Sequence, residues 1–286
     1  MIGRRFRLAI HQFAPALLDP AANASRIAES ATGSGADLVL TPELALTGYD
    51  VGDAATSLGI RLEVPGTVLD DFERAPDTVL GLIELGDDGI PYNAAVLLRE
   101  GRVVFRHRKL YLPTYGMFYE GRFFGRGSRI DAFELGGGWR AGILICEDFW
   151  HPGLAYLLAA REIHILLVQA APAGRGVWEG GESGARFATN DAWERIARTT
   201  AQLYGIYVAL ANRVGTEGGV VFGGSSLLVG PTGDVLARAP DDEETVITAT
   251  VSLDEVERAR RPFAHLRDED PWFMVRELTR CLETAS

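Results

Sequence analysis

Short runs of apolar residues recur along the chain and alternate with segments whose apolar residues fall at helical spacing. Residues 6–13 alternate like a β-strand, residues 21–32 place apolar side chains on one helical face, and residues 36–40 form a second apolar run. A strand, a helix and a second strand in that order are typical of layered α/β proteins. The opening of the chain therefore predicts an α/β fold.

The same alternation continues through most of the chain. Further strands are predicted at residues 78–85, 92–99, 102–108, 130–135, 139–145, 164–171, 206–213, 225–229, 235–239 and 245–251. Further helices are predicted at residues 67–73, 153–162, 190–204 and 253–261. Because no repeat, linker or low-complexity tract divides these elements, we expect a single domain over residues 1–265 with two sheets faced by helices. Residues 266–286 form a polar tail with one helical stretch, which is expected to contact another subunit.

Composition indicates a full apolar core and argues against one class of partner. Of the 286 residues, 47% are apolar, and nothing in the composition is typical of a disordered chain. The formal net charge is -11, and no basic patch with interleaved aromatic residues occurs. Both features argue against binding to a nucleic acid.

The cysteines and histidines do not have the spacing of a metal site or a disulfide framework. Cys146 and Cys281 form no C-x-x-C pair, and the five histidines are scattered. The N-terminal residues contain no apolar run long enough for a signal peptide or a membrane span. We therefore expect a protein of the reducing cytoplasm, without a metal or a membrane partner, in which a free thiol persists.

The stretch 140–152 joins a predicted buried strand to an unusual group of polar residues. The apolar run ends at residue 145, and Cys146, Glu147 and Asp148 follow before Pro152 opens a helix. A thiol at a strand end, followed by two carboxylates, has little value for packing alone. We interpret Cys146 as a nucleophile.

Two further reactive residues occupy equivalent places. Glu43 follows the predicted strand 36–40, and Lys109 follows the predicted strand 102–108. Ligands of open α/β sheets lie beyond the carboxyl ends of the strands, so these two residues and Cys146 can converge on one pocket. Taken singly, a cysteine is more often an inert core residue, and a glutamate or a lysine is more often a surface charge. Taken together, the three residues favour catalysis.

The chemistry of these side chains is complementary. A thiol attacks a carbonyl carbon as a thiolate or with a base that takes its proton, and a buried Glu43 can be that base. Lys109 and the backbone N–H of Glu147 can stabilise the oxyanion that develops, and one such donor is worth about 3 kcal/mol in comparable sites. A buried lysine between two carboxylates keeps its charge, and Glu120 is the expected second carboxylate.

An aromatic and glycine-rich segment, residues 110–128, has no regular period. We interpret it as a pocket wall or a lid, with plain loop packing as the alternative. The candidate substrate-binding residues are Tyr49, Tyr115, Phe118, Glu147, Trp150 and Arg175. Among them, Glu147 is expected to contribute its backbone N–H, and Arg175 is the candidate for holding a substrate carboxylate.

Six ordered motifs resemble the nitrilase, or carbon–nitrogen hydrolase, superfamily over about residues 5–265. The motifs are L-T-P-E at 40–43, G-Y at 48–49, R-K-L-Y-L-P at 108–113, G-I-L-I-C-E-D at 142–148, A-N-R-V-G at 211–215 and F-G-G-S-S at 222–226. Two of the segments, 112–120 and 145–150, resemble the glutaminase domain of glutamine-dependent NAD synthetases. Since the sequence carries no synthetase domain, it resembles a stand-alone relative of that branch.

The resemblance implies a fold, a set of roles and an assembly. The implied fold is a four-layer α-β-β-α sandwich. The family's base falls on Glu43, its lysine on Lys109 and its nucleophile on Cys146, and a second glutamate that orients the lysine falls on Glu120. The family implies no metal and no organic cofactor, and its subunits usually pair into homodimers or higher homo-oligomers through the helices near the cysteine and the C-terminal tail.

The expected reaction is hydrolysis of a small linear amide to a carboxylic acid and ammonia through a thioester on Cys146. Two alternatives use the same chemistry: a glutaminase that feeds ammonia to a separate NAD synthetase-like partner, and an N-carbamoyl amine hydrolase. Ala171 and Ala173 make the loop 171–175 less polar than recognition of an amino-acid substrate requires. This favours the small amide over glutamine as the substrate. A nitrilase proper fits less well, because the motifs match amide-cleaving relatives more closely.

Two rival interpretations come from other classes of protein. One is a binding or regulatory protein that kept the fold and lost turnover, and the retention of Glu43, Lys109, Glu120 and Cys146 argues against it. The other is an acyltransferase that uses an amine in place of water. The short chain without membrane segments argues against that second interpretation.

Overall fold

The computed structural model of the chain describes residues 2–115, 119–175, 177–178, 186–262 and 265–284. The strands are β1 (Arg5–Gln12), β2 (Leu38–Leu40), β3 (Asp77–Leu85), β4 (Pro91–Arg99), β5 (Arg102–Arg108), β6 (Ala132–Gly136), β7 (Trp139–Ile145), β8 (Ile165–Ala170), β9 (Val177–Trp178), β10 (Arg186–Phe187), β11 (Tyr207–Asn212), β12 (Val214–Glu217), β13 (Val220–Gly223), β14 (Leu227–Val229), β15 (Val235–Arg238) and β16 (Thr245–Ser252). The helices are α1 (Pro20–Gly33), α2 (Ala55–Leu58), α3 (Glu120–Phe123), α4 (Pro152–Ala159), α5 (Ala188–Tyr204), α6 (Leu253–Arg260) and α7 (Pro271–Thr284). Short 3₁₀ helices cover Gly52–Ala54, Val68–Phe72, Cys146–Trp150 and His265–Arg267.

Two six-stranded sheets form the centre of the molecule. Their strand orders are β16-β1-β2-β3-β4-β5 and β15-β14-β11-β8-β7-β6. Each sheet contains three neighbouring parallel strands, β1, β2 and β3 in the first and β7, β8 and β11 in the second. β4 and β5 extend the first sheet as antiparallel hairpins, so β5 again runs parallel to β2. The carboxyl ends of β2 and β5 therefore lie at the same edge of the first sheet.

The two sheets pack face to face through one apolar core. Ile10 of β1, Leu97 of β4 and Ile143 of β7 belong to a single buried cluster that spans both sheets. Side chains alternate between the two faces of a strand, so the neighbours of these residues point to the outer faces. Full burial of each such side chain contributes about 1.5–3 kcal/mol relative to its exposure to water.

Helices cover the outer face of each sheet. Ile27 of α1 shares a buried cluster with Leu80 and Leu82 of β3 on the first sheet. On the second sheet, α4 approaches β7 so closely that a Cβ at Gly142 would lie 2.7 Å from a methyl group of Leu158. The order helix, sheet, sheet, helix confirms the α-β-β-α sandwich that the sequence predicts.

The structure differs from the predicted elements in several places, including short elements such as α2, α3, β9 and β10 that the pattern does not predict. The helix predicted at 67–73 is a 3₁₀ helix over Val68–Phe72, and the helix predicted from residue 153 ends at Ala159. The hairpin of β12 and β13 has no counterpart among the predicted strands. Its turn is formed by Gly218 and Gly219, both at positive φ, and two strands of only four residues interrupted by glycine are hard to tell from a loop.

The C-terminal helix α7 lies apart from the core. None of its residues is buried, and its apolar side chains include Trp272, which is 73% exposed. Within the ranges that the structure describes, no helix combines the length and the apolar character needed to cross a bilayer.

Candidate active site

A buried group of charged side chains lies at the carboxyl edge of the first sheet. Nζ of Lys109, which follows β5, lies 2.7 Å from Oε1 of Glu43 and 2.6 Å from Oε1 of Glu120. All three side chains are almost completely buried. The structure thus brings together the two strand-end residues and the second carboxylate that the sequence predicts.

Glu43 is held by a tight turn that needs a glycine on the neighbouring strand. The turn follows β2, and the hydroxyl of Thr41 in it donates to the carbonyl of Val79 and accepts from the N–H of Gly81. A Cβ at Gly81 would lie only 2.3 Å from the carbonyl oxygen of Pro42. Gly81 therefore allows the backbone before Glu43 to lie directly on β3.

Asn93 gives Glu43 a second contact that the sequence analysis does not identify. Nδ2 of Asn93 donates to Oε1 of Glu43 at 2.8 Å. Asn93 is buried on β4 among apolar residues, and a lone amide in such a strand is the signal that points to it. The other carboxylate oxygen of Glu43, Oε2, is buried and has no hydrogen-bond partner among the described residues, so it is free to accept a proton.

Lys109 is a fully buried cation whose charge is compensated on two sides. Burial alone would lower the pKa of Lys109, but the negative charges of Glu120 and Glu43 raise it well above the ordinary value. Lys109 is therefore an ammonium group with three N–H donors, two of which are directed at the carboxylates. The third can point at a reacting oxygen atom.

Glu120 opens α3 and connects Lys109 to Tyr49. The hydroxyl of Tyr49 donates to Oε1 of Glu120, the same oxygen atom that contacts Lys109. Burial raises the pKa of Glu120 to about 7, although the charge of Lys109 acts in the opposite direction and the charge of Glu43 adds to the rise. The position of Lys109 therefore depends on the ionisation of a carboxyl group that titrates near neutral pH.

The backbone of Cys146 has a left-handed conformation. Cys146 directly follows β7, has φ +47° and begins the 3₁₀ helix Cys146–Trp150. This conformation costs a residue other than glycine about 1–2 kcal/mol, and such strain is concentrated at functional sites. The sharp turn separates the thiol from the strand and leaves the next backbone N–H, that of Glu147, at the start of the helix.

The environment of Cys146 keeps its thiol protonated in the resting state. Burial raises the pKa of the thiol well above its ordinary value, and the charge of Glu43 raises it further. Lys109 and a hydrogen bond from the backbone N–H of Ala171 act in the opposite direction. The thiol therefore requires a base before it can react.

A buried ion pair fixes the loop that carries Tyr49, and the sequence analysis does not identify it. Glu217 of β12 accepts the backbone N–H groups of Tyr49 and Asp50 at 2.7 and 2.6 Å. Its other oxygen lies 2.8 Å from Arg213, whose guanidinium group stacks over the ring of Phe222. The ion pair of Arg213 and Glu217 is thus connected to Glu120 through Tyr49, whose backbone binds Glu217 and whose hydroxyl binds Glu120.

Three of the remaining candidate substrate-binding residues, Tyr115, Trp150 and Arg175, are exposed to solvent. The exposed Tyr115 donates to the carboxylate of Glu147 at 2.6 Å, and Trp150 packs edge-on against Trp193 of α5. The backbone N–H of Arg175 contacts Thr189, and its side chain is exposed. Phe118 lies outside the described residues. The substrate-binding roles of these residues stay predictions.

Metal-binding groups are not apparent near the site. In the part of the chain that the structure describes, no group of three or more His, Cys, Asp or Glu side chains has an arrangement that could hold a metal ion.

Two sheets packed face to face thus carry a buried carboxylate, a buried lysine and a buried thiol just beyond the carboxyl ends of their strands. The carbon-nitrogen hydrolase family model matches residues 7–261, and the chain belongs to this family. The fold and the site agree with that membership.

Individual relatives fall into several branches of the family. The chain is 27% identical over 258 residues to the glutamine-dependent NAD(+) synthetase of Acinetobacter baylyi, which covers 88% of this chain and 45% of the relative. It is 30% identical over 260 residues to the nitrilase of Pyrococcus abyssi, covering 86% of this chain and 90% of that protein. The chain thus spans about half the length of the curated NAD synthetases that it matches.

A solved structure adds an amidase to these relatives. A glutamate-to-glutamine mutant of the amidase from Nesterenkonia sp. AN1, with the acetamide moiety of fluoroacetamide bound covalently to its active-site cysteine, superposes with a TM-score of 0.71. The two sequences are 26% identical, and the match covers 92% of this chain and 96% of the amidase.

Proposed function

We propose that the protein hydrolyses a small linear amide, R-CO-NH₂, to a carboxylic acid and ammonia through a thioester on Cys146. The observation that carries the proposal is the contact of Lys109 with both Glu43 and Glu120, next to a buried thiol in a strained turn. This arrangement supplies a nucleophile, a base and an oxyanion donor in one place.

The first half of the reaction forms the thioester. Oε2 of Glu43 accepts the thiol proton as the sulfur atom of Cys146 attacks the amide carbon. The carbonyl oxygen becomes an oxyanion, which the third N–H of Lys109 and the backbone N–H of Glu147 stabilise. The carbon–nitrogen bond then breaks, and the leaving nitrogen takes the proton from Glu43 and departs as ammonia.

The second half consumes one water molecule. Glu43, again a carboxylate, accepts a proton from water while the oxygen atom attacks the thioester carbon. The same two donors hold the second oxyanion. The carbon–sulfur bond breaks, the proton on Glu43 returns to the sulfur atom, and the carboxylic acid leaves. The sum is R-CO-NH₂ plus H₂O to R-COOH plus NH₃, with the enzyme unchanged.

One of the comparisons supports the proposal of an amide substrate. The Nesterenkonia amidase is similar over 92% of this chain, and in its glutamate-to-glutamine mutant the acetamide moiety of fluoroacetamide is bound covalently at the active-site cysteine. Fluoroacetamide is therefore a suitable probe for Cys146.

The test is ammonia release over a panel of short primary amides, combined with mass spectrometry of the protein. We expect turnover of at least one amide and a covalent adduct at Cys146 after treatment with fluoroacetamide. Cys146→Ala should lower turnover by roughly 10⁴-fold or more, as loss of a nucleophile does in other covalent hydrolases. Cys281→Ser, which alters the exposed second cysteine on α7, is the matched control and should retain full activity.

Two results would contradict the proposal. One is the absence of ammonia release from every amide in the panel by the folded wild-type protein. The other is equal activity of Cys146→Ala and Cys281→Ser, because the thiol of Cys146 would then have no part in the reaction.

A glutaminase function is the second candidate, favoured by the similarity to glutamine-dependent NAD synthetases over 88% of this chain. The chemistry at Cys146 would be the same, with glutamine as the amide and a separate synthetase as the recipient of ammonia. Measured kcat/KM for glutamine, short amides and N-carbamoyl amines separates these candidates. A preference for glutamine of more than about 100-fold would favour the glutaminase, since such a ratio requires about 2.7 kcal/mol of specific contacts.

A further inference from the structure

Asp148 is a fully buried carboxylate that the proposed reaction does not use. It lies two residues after Cys146, within the 3₁₀ helix Cys146–Trp150, and none of its surface is exposed. A buried charge is costly unless several hydrogen bonds compensate it. The hydrogen-bond partners of Asp148 therefore indicate which segments of the chain it holds in place.

One oxygen atom of Asp148 binds the backbone that follows Lys109. Oδ1 accepts the N–H groups of Leu110 and Tyr111, each at 2.9 Å. These are the first two residues after Lys109 and follow β5 of the first sheet, whereas Asp148 follows β7 of the second sheet. The carboxylate thus fixes the direction in which the chain leaves β5.

The other oxygen atom binds one group on each side of the site. Oδ2 lies 3.0 Å from Nε2 of His107 and accepts the backbone N–H of Ile145 at 3.3 Å. Because a carboxylate only accepts, Nε2 of the buried His107 is the protonated ring nitrogen. His107 lies two residues before Lys109, and Ile145 is the residue before Cys146.

We propose that Asp148 is a positioning residue that sets the distance and orientation between Lys109 and Cys146. The two reactive residues follow strands of different sheets, β5 and β7. A carboxylate that only capped the 3₁₀ helix would need the local N–H of Ile145 alone. Instead, three of the four donors to Asp148 belong to the segment around Lys109. Asp148 therefore links the two sheets by hydrogen bonds at the site.

The inference rests on the proposed function, because it gives Asp148 a role in that reaction. The oxyanion must lie within hydrogen-bond distance of Lys109 while its carbon atom is bonded to Cys146. A displacement of about 1 Å between catalytic groups can lower the rate by about 100-fold. Asp148 would therefore control the rate of thioester formation and have little influence on substrate affinity.

The main test compares Asp148→Asn with a matched control, Asp77→Asn. The asparagine has the same shape, but its amide N–H₂ accepts no hydrogen bond. In place of Oδ2 it loses the bond from Ile145, and in place of Oδ1 it loses the bonds from Leu110 and Tyr111. We expect kcat to fall by 10- to 100-fold, as about 1 Å of misplacement would cause, with KM changed by less than about 3-fold. Asp77 forms an ion pair with Arg99 at the amino-terminal end of β3, away from the site, and Asp77→Asn should change stability only.

A second readout does not depend on the substrate. In a Cys281→Ser background, the rate at which iodoacetamide alkylates Cys146 reports the reactivity of the thiol beside Lys109. We expect Asp148→Asn to slow this alkylation by about 10-fold or more, by the same displacement of the two groups. If wild-type protein alkylates normally but hydrolyses no amide, the proposed function fails, and the alkylation rates still decide the role of Asp148.

His107 supplies an independent pair of variants in case Asp148→Asn does not fold. His107→Leu removes a donor to Asp148, and His107→Gln retains a side-chain N–H. We expect the leucine variant to lose about 10-fold in kcat at unchanged KM and the glutamine variant to recover most of the loss. The proposal is overturned if folded Asp148→Asn keeps both wild-type rates, or if both His107 variants lower only the melting temperature.

Discussion

Lys109 is the residue on which the electrostatics of the site depends. It is completely buried, and it remains charged because Glu43 and Glu120 lie on either side of it. Conversely, the lysine is what allows two carboxylates to be buried so close together. The three groups are therefore one unit for both stability and reactivity.

Removing only the lysine should harm stability and activity together. Lys109→Met leaves two buried carboxylates facing each other, and we expect a loss of about 3–5 kcal/mol in the free energy of unfolding and no measurable turnover. Urea denaturation and ammonia release measure the two effects. The double variant Lys109→Met with Glu120→Gln should recover part of the stability but none of the activity. Full stability in the single variant would mean that the carboxylates are not paired through Lys109.

The raised pKa of Glu120 makes stability depend on pH. In the unfolded chain this carboxyl titrates near its ordinary value of 4.5, and in the folded protein near about 7, so the folded state binds the proton more tightly. The stability that the protonated group contributes is fully present below pH 4.5 and is lost as the pH rises to about 7. Its upper limit is ~3 kcal/mol.

Glu120→Gln provides the comparison that isolates this group. As the pH rises from 4.5 to 7, the unfolding free energy of the wild type should fall relative to that of the variant. Above pH 7 the difference between the two should stay constant. Chemical denaturation at four or five pH values within this window measures it. A difference that does not vary with pH would show that Glu120 has an ordinary pKa in the folded protein.

At the scale of elements, the site depends on a loop fixed by a hairpin that lies outside both large sheets. Glu217 of β12 holds the backbone of Tyr49, and Tyr49 holds Glu120. Gly48 makes the contact possible, because it has φ +78° and a Cβ there would lie 2.7 Å from Oε2 of Glu217. The hairpin thus acts on Lys109 without touching it.

Gly48→Ala should therefore disturb the site as well as the loop. We expect destabilisation on the order of 3 kcal/mol, from backbone strain together with the clash against Glu217, and a reduced kcat. Gly52→Ala is the matched control, since Gly52 also has positive φ but nothing lies within 4 Å of an added Cβ. The control should lose only about 1–2 kcal/mol and keep its kcat. Equal effects of the two variants on kcat would exclude a role for the contact with Glu217.

The sequence predicts the elements whose signal is local and misses contacts made at a distance. Apolar runs mark β2, β5 and β7, so the places of Glu43, Lys109 and Cys146 at strand ends follow directly from the pattern. Glu217 belongs to a glycine-rich hairpin whose strands have only four residues each, and the apolar pattern predicts no strand there. Its partner Tyr49 is 168 positions away in the chain, a pairing that only the folded topology creates.

At the scale of the whole molecule, α7 is the feature that a single chain leaves unexplained. Its large apolar side chains are more than half exposed: Trp272, Phe273, Met274, Val275, Leu278 and Leu282. Exposed apolar groups of this number on one helix are typical of a subunit interface. This agrees with the prediction from the sequence that the C-terminal tail contacts a second copy of the chain, which stays a prediction.

The prediction is that α7 mediates a homodimer. Leu278→Asp with Leu282→Asp places two charges on its apolar face, and we expect the dimer to dissociate into folded monomers, because buried unpaired charges are costly at an interface. Light scattering after size-exclusion chromatography measures the mass. Arg276→Asp, on the opposite side of the helix, is the control and should leave the mass unchanged. A wild-type protein that is monomeric at micromolar concentration would contradict the prediction.

The left-handed backbone at Cys146 also has a consequence for the stability of the protein. Glycine and asparagine adopt this conformation more readily than cysteine does, so the residue that supplies the nucleophile is not the one that the turn would select by itself. A cysteine in this turn therefore makes the fold less stable than a glycine would, by roughly 1–2 kcal/mol, so folding alone does not account for the residue at this position.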